Sequence, residues 1–439
     1  MRSIRLIVFS FSLLSFGVTS NAQDVTISSI EEAIELALKR NFDFQNYTIN
    51  QQKASLEYKQ AKRHRLPTIS GTFNGQRNID LATTPLPGEI FGQPGEVVDA
   101  QFGQEYTYNA GINISKQFFD RNAYWQKKIA SLNQDITNVE KEVFEQLLKE
   151  QVITYYYTAV IAKRAVEISQ TDMDAAQKIH QLSAEKFNEG LIDAISMNTA
   201  IINENTVRQS LNANSQLALQ CEMELKKLLG IRPEDQLSIS EDLNNEFPEK
   251  YQIAQLSIDP TLRNTELQLQ QSDLLVKQSK SASLPSLSVN TYYGRQQFRE
   301  DFGLSLNPSN WSNYSYLSVN LNVPIFTGFR NKSEVKQNRF NYQIQQNNNH
   351  KAKIAADLDD QLLIQNYLLS LDDAKATYNS YQLYAENREL NHQKFEEGLI
   401  SLDAYLKVFE DYVKAEINYL NTLTRVYTYY SQILPRIQS

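Results

Sequence analysis

Lys186-Phe187-Asn188-Glu189-Gly190-Leu191-Ile192 recurs as Lys394-Phe395-Glu396-Glu397-Gly398-Leu399-Ile400, 208 residues further on, with one exchange in seven positions. Two more pairs keep the same order. Gly111-Ile112-Asn113-Ile114-Ser115 matches Ser318-Val319-Asn320-Leu321-Asn322 at an offset of 207, and Leu66-Pro67-Thr68-Ile69-Ser70 matches Leu284-Pro285-Ser286-Leu287-Ser288 at 218. One such match could be chance; three in order mean one plan used twice, with about 11 extra residues in the first copy.

Long stretches without a break lead into both heptapeptides. Arg121–Phe187 and Arg330–Phe395 contain neither Pro nor Gly. In the first, Trp125, Ile129, Leu132, Ile136, Val139 and Val143 step by four and three, the seam of a coiled coil. The rhythm resumes with small residues at Ala159, Ala162, Val166, Ser169, Met173 and Ala176. At 1.5 Å per residue each helix runs about 100 Å, a span no compact domain needs. The Asn/Gln-rich stretch Asn338–Asn349, flanked by Phe340, Tyr342 and Ile344, is read as helix with one packed and one wet side. Gly190 and Gly398 are expected to supply the left-handed conformation that ends each helix.

Between the Pro that ends a helix and the long helix lie two alternating strands per copy. Tyr106, Tyr108, Ala110, Ile112 and Ile114 oppose Thr107, Asn109, Gly111, Asn113 and Ser115; Leu317, Val319, Leu321 and Val323 oppose Tyr316, Ser318, Asn320 and Asn322. Such a pattern fits a membrane barrel with a wet interior or a half-buried soluble sheet. The strands after Pro67 and Pro285 alternate less cleanly. The Pro- and Gly-rich segment from Leu81 to Gly103, and a shorter one from Phe302 to Ser312, read as loops at one barrel end and favour the membrane. Four strands cannot close a barrel, and open edges are forbidden in lipid, so subunits must share one; a trimer closes at twelve.

The expected organisation is a signal peptide at 1–22, with Arg2, Arg5, an apolar Leu6–Val18 and cleavage after Ala22. A first repeat follows at 23–233, with strands near 67–80 and 104–119 and a helical hairpin at 121–229. A linker at 234–258 leads to a second repeat at 259–439, with strands near 285–299 and 313–326 and a hairpin at 329–435. The fold class is mainly α with a membrane β-barrel portion, in two tandem repeats of helix-strand-strand-helix-helix. Hydrophobic residues make up 41% of the 439, and 14 Gly with 11 Pro leave few breaks. A net charge of -8 without a basic patch argues against nucleic acid. Past the signal no apolar run is long enough for a transmembrane helix. Cys221, the one cysteine, reads as a packed side chain. His64, His180, His350 and His392 form no metal motif, and no phosphate loop, nucleophile elbow or dinucleotide fingerprint occurs, so neither enzyme, metal nor cofactor is expected. Asp359-Asp360 and Asp372-Asp373 read as solvated helix faces.

The chain resembles the TolC-like outer-membrane efflux and secretion factors. The marks are Ile30–Leu38 (IEEAIELAL), the two Leu-Pro strand starts, Val323-Pro324-Ile325-Phe326-Thr327-Gly328, and above all the repeated Phe-x-Glu-Gly-Leu-Ile. The resemblance covers essentially the whole mature chain. It implies a homotrimer with a 12-stranded outer-membrane barrel in lipid and a long periplasmic α-helical barrel. Partners would be a periplasmic adaptor (membrane fusion) protein and an inner-membrane pump of RND, ABC or MFS type, exporting small molecules or proteins. Adaptor hairpins would dock at Phe187, Gly190, Leu191, Ile192, Phe395, Gly398, Leu399 and Ile400. Gly-Leu-Ile presents apolar residues at an end where little else could bury them; a self-contained turn is the alternative. The family's acidic entrance is only partly matched: Asp403 is acidic, but the positions that align with the gate hold Ala404 and Lys407. The lipid-facing strand would present Leu317, Val319, Leu321 and Val323. The competing reading is a coiled-coil structural or adhesive surface protein, which explains the helices and not the paired strands.

Overall fold

Pro and the capping residues decide where elements begin and end. A computed structural model describes residues 24–241, 247 and 256–437. The signal peptide and its cleavage after Ala22 lie outside the described residues. The elements in order are β1 (Val25–Ile27), α1 (Ile30–Arg40), α2 (Phe42–Arg63), β2 (Thr68–Arg77), β3 (Thr83–Pro87), β4 (Val97–Gln101) and β5 (Tyr106–Phe119). There follow α3 (Arg121–Asn188), α4 (Ala194–Leu228), β6 (Leu237–Ile239), α5 (Pro260–Ser281), β7 (Ser286–Arg299), β8 (Ser312–Asn322), α6 (Arg330–Glu396) and α7 (Leu402–Ile433). Contacts group them into two units. One comprises the chain up to Gln45, Phe144–Ser257 and Asp359–Ser439; the other comprises Asn46–Val143 and Ile258–Leu358.

The second unit holds a four-stranded antiparallel sheet in the order β2-β5-β7-β8. The two copies therefore meet strand to strand at β5 and β7. Paired residues share a face, so register decides which side chains collect together. Ile69 pairs with Ile114, Gly71 with Ile112, Ile112 with Tyr293 and Ile114 with Thr291. Leu317 pairs with Thr291, Val319 with Val289 and Leu321 with Leu287. The strands whose alternation was least clean thus join the same apolar face as Leu317, Val319 and Leu321. The opposite face carries Thr72, Asn109, Asn113, Ser115, Asn290, Ser318 and Asn320. On α3 in this unit, Leu132, Ile136 and Val139 are buried, as the heptad seam requires.

Three readings of this unit need correction. The segment from Leu81 to Gly103 is no plain loop: β3 and β4 pair antiparallel, with Pro85 opposite Asp99. A two-stranded ribbon has only edges, where a missing N–H costs no ladder bond. The strand expected to reach 326 ends at Asn322, before Pro324, leaving Val323 exposed beyond β8. On α6, Phe340 and Ile344 are exposed, and the stripe turned inward is Tyr342, Gln345 and Asn349, whose Nδ2 donates to Thr265 Oγ1 at 3.2 Å.

The first unit contains two apolar clusters. The larger gathers Ala33 and Ala37 of α1, Val152 and Tyr156 of α3, Leu225 and Leu229, Tyr367 of α6 and Val426 of α7. Small residues on α1 let it lie close, and β1 pairs parallel with β6 beside it. The seam of α3 holds here too, with Ala162, Ser169, Met173 and Ala176 buried. Asp360, expected to be solvated, takes a two-pronged ion pair from Arg436 at 2.6 and 2.8 Å, joining the segment after α7 to α6. Cys221 is buried, as a packed side chain should be.

Candidate docking tip

The two heptapeptides fold into one turn, built twice. Gly190 N donates to Phe187 O at 3.0 Å and Leu191 N to Lys186 O at 2.8 Å. Gly398 N donates to Phe395 O at 3.1 Å and Leu399 N to Lys394 O at 2.8 Å. Both glycines are left-handed, with φ of 74° and 73°. This pair of bonds satisfies carbonyls that the ended helix leaves open, and glycine adopts the conformation without a Cβ penalty. A Cβ at either position would meet nothing within 4 Å, so the constraint is conformational rather than spatial.

Each turn hands over to a capped helix. Asp193 Oδ1 accepts from Ser196 N at 2.9 Å, and Ser401 Oγ accepts from Ala404 N at 3.2 Å. That backbone N–H holds the Asp193 carboxyl below its ordinary range. Leu191 and Leu399 are 67% and 68% exposed at the turn tips. The isoleucines differ from expectation: Ile192 and Ile400 fold back against the second apolar cluster, which includes Met173, Ile179, Leu402, Tyr405 and Phe409. Only one residue of each apolar pair is presented to solvent, because the capped helix that follows turns the next side chain inward.

The phenylalanines part company. Phe187 is 42% exposed, whereas Phe395 is 5% exposed. Phe395 stacks on Tyr405 with ring centroids 5.3 Å apart, and Lys186 Nζ lies 4.6 Å from the centre of its ring. Phe395 is thus an anchor of the turn and not a surface for a partner.

Asp403 and Lys407 line a cleft of about 330 Å³ between α4 and α7, with Ile202, Val207, Leu406 and Ile417 among its walls. Asp403 Oδ2 accepts from Ser196 Oγ at 3.1 Å, tying the first helical residues after one turn to those after the other. Lys407 reaches Asp411 at 3.1 Å and Glu410 at 3.5 Å, and these acids hold its ammonium above the ordinary range. Lys407 is thereby matched by acids one turn further on. Sequence reasoning did not find the Ser196–Asp403 bond or the Lys186–Phe395 contact, since both join residues of different repeats.

In the other unit, Leu317, Val319 and Leu321 project from the exposed apolar face of the sheet. No helix among the described residues is long and apolar enough to cross a membrane.

The family model for outer membrane efflux proteins matches residues 33–231 and 254–433. The chain belongs to the outer membrane efflux protein family. The two matched stretches fall one on each repeat. Among solved structures, the Campylobacter jejuni CmeC outer membrane channel is similar over 99% of this chain and 93% of its own, at 18% identity and a TM-score of 0.77. The Vibrio cholerae outer membrane protein VceC is similar over 92% and 95%, at 14% identity and 0.74. The Neisseria gonorrhoeae MtrE outer membrane channel, in its open state, is similar over 98% and 97%, at 17% identity and 0.70. Among curated proteins no sequence matches. This outer membrane efflux protein is a transport protein of the Gram-negative outer membrane, extending into the periplasm, and its fold is the TolC-like one. Nothing in these comparisons supports the structural or adhesive reading.

Proposed function

We propose that three copies of this efflux protein share one 12-stranded barrel and form a continuous export passage for small molecules or proteins. The paired turns would receive a periplasmic adaptor, and an inner-membrane pump of the RND, ABC or MFS type would drive transport. One observation carries the shared barrel: the sheet ends at β2 and β8 while presenting a mainly apolar face through Ile69, Ile114, Val289 and Val319. In hydrocarbon an open sheet edge leaves backbone groups that cost several kcal/mol each, and pairing β8 of one copy with β2 of the next removes every edge.

The docking role rests on Leu191 and Leu399, two large apolar side chains exposed at matched positions. Asp403 and Lys407 are the candidates for the passage entrance, as a hydrogen-bonded and ion-paired group rather than an acidic ring.

Native mass spectrometry in detergent tests the assembly: a trimer is expected, and a stable monomer sinks the shared barrel. The face is tested separately. Leu317→Asp and Val319→Asp should impair membrane assembly, while Ser318→Asp and Asn320→Asp should be tolerated. A charge on the lipid face costs roughly 2–4 kcal/mol for Arg or Lys at the midplane and less for Asp. Equal tolerance on both faces means the face assignment is wrong.

A further inference from the structure

Between the two apolar clusters of the helical unit sits a polar joint that the export reading leaves unused. Asp172 on α3 and Glu416 on α7 are each 3% exposed. Arg388 on α6 donates from Nη1 to Asp172 Oδ1 at 3.0 Å. Its guanidinium carbon lies 4.2 Å from the ring centre of Tyr412, also on α7. Tyr381 of α6 packs beside Tyr412 at 5.8 Å and borders both clusters. Glu416 Oε2 is buried without a hydrogen-bond partner. The titratable and charged groups facing the two carboxyls are therefore Arg388 and Tyr381 from α6 and Tyr412 from α7. One turn away α4 meets α3 through a neutral bond, Asn214 Nδ2 to Ser169 Oγ at 2.7 Å.

The charges do not balance if both carboxyls are ionised. Two anions against one guanidinium leave an excess negative charge in a site sealed from water, where an unpaired charge is costly. One proton on Glu416 corrects this. It turns a contact between two acceptors into a donor and an acceptor, and it leaves Asp172 and Arg388 as a neutral ion pair.

We infer that Asp172 and Glu416 hold a single proton between them, and that its loss releases the turn end of the α6–α7 hairpin from α3. The joint spans the two repeats: Asp172 belongs to the first, Arg388 and Glu416 to the second. It also lies where the larger cluster gives way to the cluster beneath the turns, so opening it would uncouple the turn end alone. Burial, then the negative charge of Asp172, push the Glu416 carboxyl up to about 9. Burial likewise raises Asp172, with the hydrogen bond to Glu416 and then the charge of Arg388 opposing. Both phenols are raised by burial and so stay protonated while the joint titrates. The sign follows from linkage. Between the ordinary carboxyl range and about 9, the folded state holds a proton that the unfolded state has lost, so stability falls as pH rises through that window. On the proposed docking role, the released end is the one a partner would engage; that consequence rests on the proposed function, whereas the proton does not.

Hydrogen exchange on the purified full-length protein in detergent tests the release, with rates corrected for their intrinsic pH dependence. Peptides from Leu402 to Glu416 should keep their protection at about pH 7. They should lose it about tenfold per pH unit once the shared proton leaves. Glu416→Gln, which carries the neutral form permanently, should retain the neutral-pH protection at about pH 10. Unchanged wild-type protection, or equal loss in Glu416→Gln, overturns the release. Infrared titration of the wild type tests the proton even if that variant misfolds. A protonated carboxylic acid should persist at neutral pH and vanish in alkali, and its absence at neutral pH overturns the shared proton. Asp172→Asn leaves one carboxyl facing one guanidinium, so the neutral-pH acid band should disappear; its persistence also overturns the proposal. A conducting channel with no such band would leave the export reading standing and this one refuted.

Discussion

The turns at Phe187–Ile192 and Phe395–Ile400 have the same hydrogen bonds, the same left-handed glycine and nearly equal exposure of the leucine at the tip. They differ in what lies beneath. The second repeat follows its turn with Leu402, Tyr405, Leu406 and Phe409, all buried; the matched positions in the first are Ala194, Met197, Asn198 and Ile201. Phe395 therefore finds a ring to stack on, and Phe187 does not. A shared turn sequence preserves a backbone conformation and a presented residue, while the following helix decides how firmly that turn is held. The first turn is placed as a compliant contact and the second as an anchored one.

The largest effect should come from the turn itself. Gly398→Glu should abolish export with trimer formation and membrane insertion intact, and Gly190→Glu should reduce export less. A left-handed non-glycine residue costs about 1–2 kcal/mol, and the added charge sits where the leucines are presented. Export assays beside native mass spectrometry check this, and equal loss from both would erase the distinction between the turns. Next, Tyr405→Ala should destabilise the helical unit by about 3 kcal/mol, the range for removing a buried aromatic ring. Met197→Ala, at the matched position, should cost about 1 kcal/mol, because less surface is covered there. Thermal or denaturant melting measures both.

Leu191→Asp and Leu399→Asp should weaken adaptor crosslinking to similar degrees, since the two are equally exposed; a large inequality would show that anchoring governs docking. The smallest effect concerns the caps. Ser401→Ala should cost about 1 kcal/mol at any pH. The Asp193 cap should be pH-dependent. Its carboxyl is held below its ordinary range, so its contribution is present above the ordinary carboxyl pKa and is lost as pH falls through the lower folded value. Hydrogen exchange near Ser196 in mild acid should reveal that loss, with none near Ala404.

Much of this protein was legible in its sequence because the signals are local. Unbroken helices, Pro at the strand starts and alternation in β5 and β8 each need only neighbouring residues to be interpreted, and the repeated Phe-x-Glu-Gly-Leu-Ile needs only a comparison of letters. Left-handed glycines at 190 and 398 follow from the same local logic. Pairing of β5 with β7, which merges weakly patterned strands into one apolar face, needed register between segments far apart in the chain and so could not be read from periodicity. Proline-rich residues 83–101 formed a ribbon because an edge tolerates what a ladder interior does not. The anchoring of Phe395, the inward turn of Ile192 and Ile400, the Arg436–Asp360 clasp and the shared burial of Asp172 and Glu416 depend on contacts between distant segments. Local sequence determined which elements exist and how they end; only tertiary packing decided which side chains lose water, and loss of water is what turns a matched residue into an anchor or a carboxylate into a proton site.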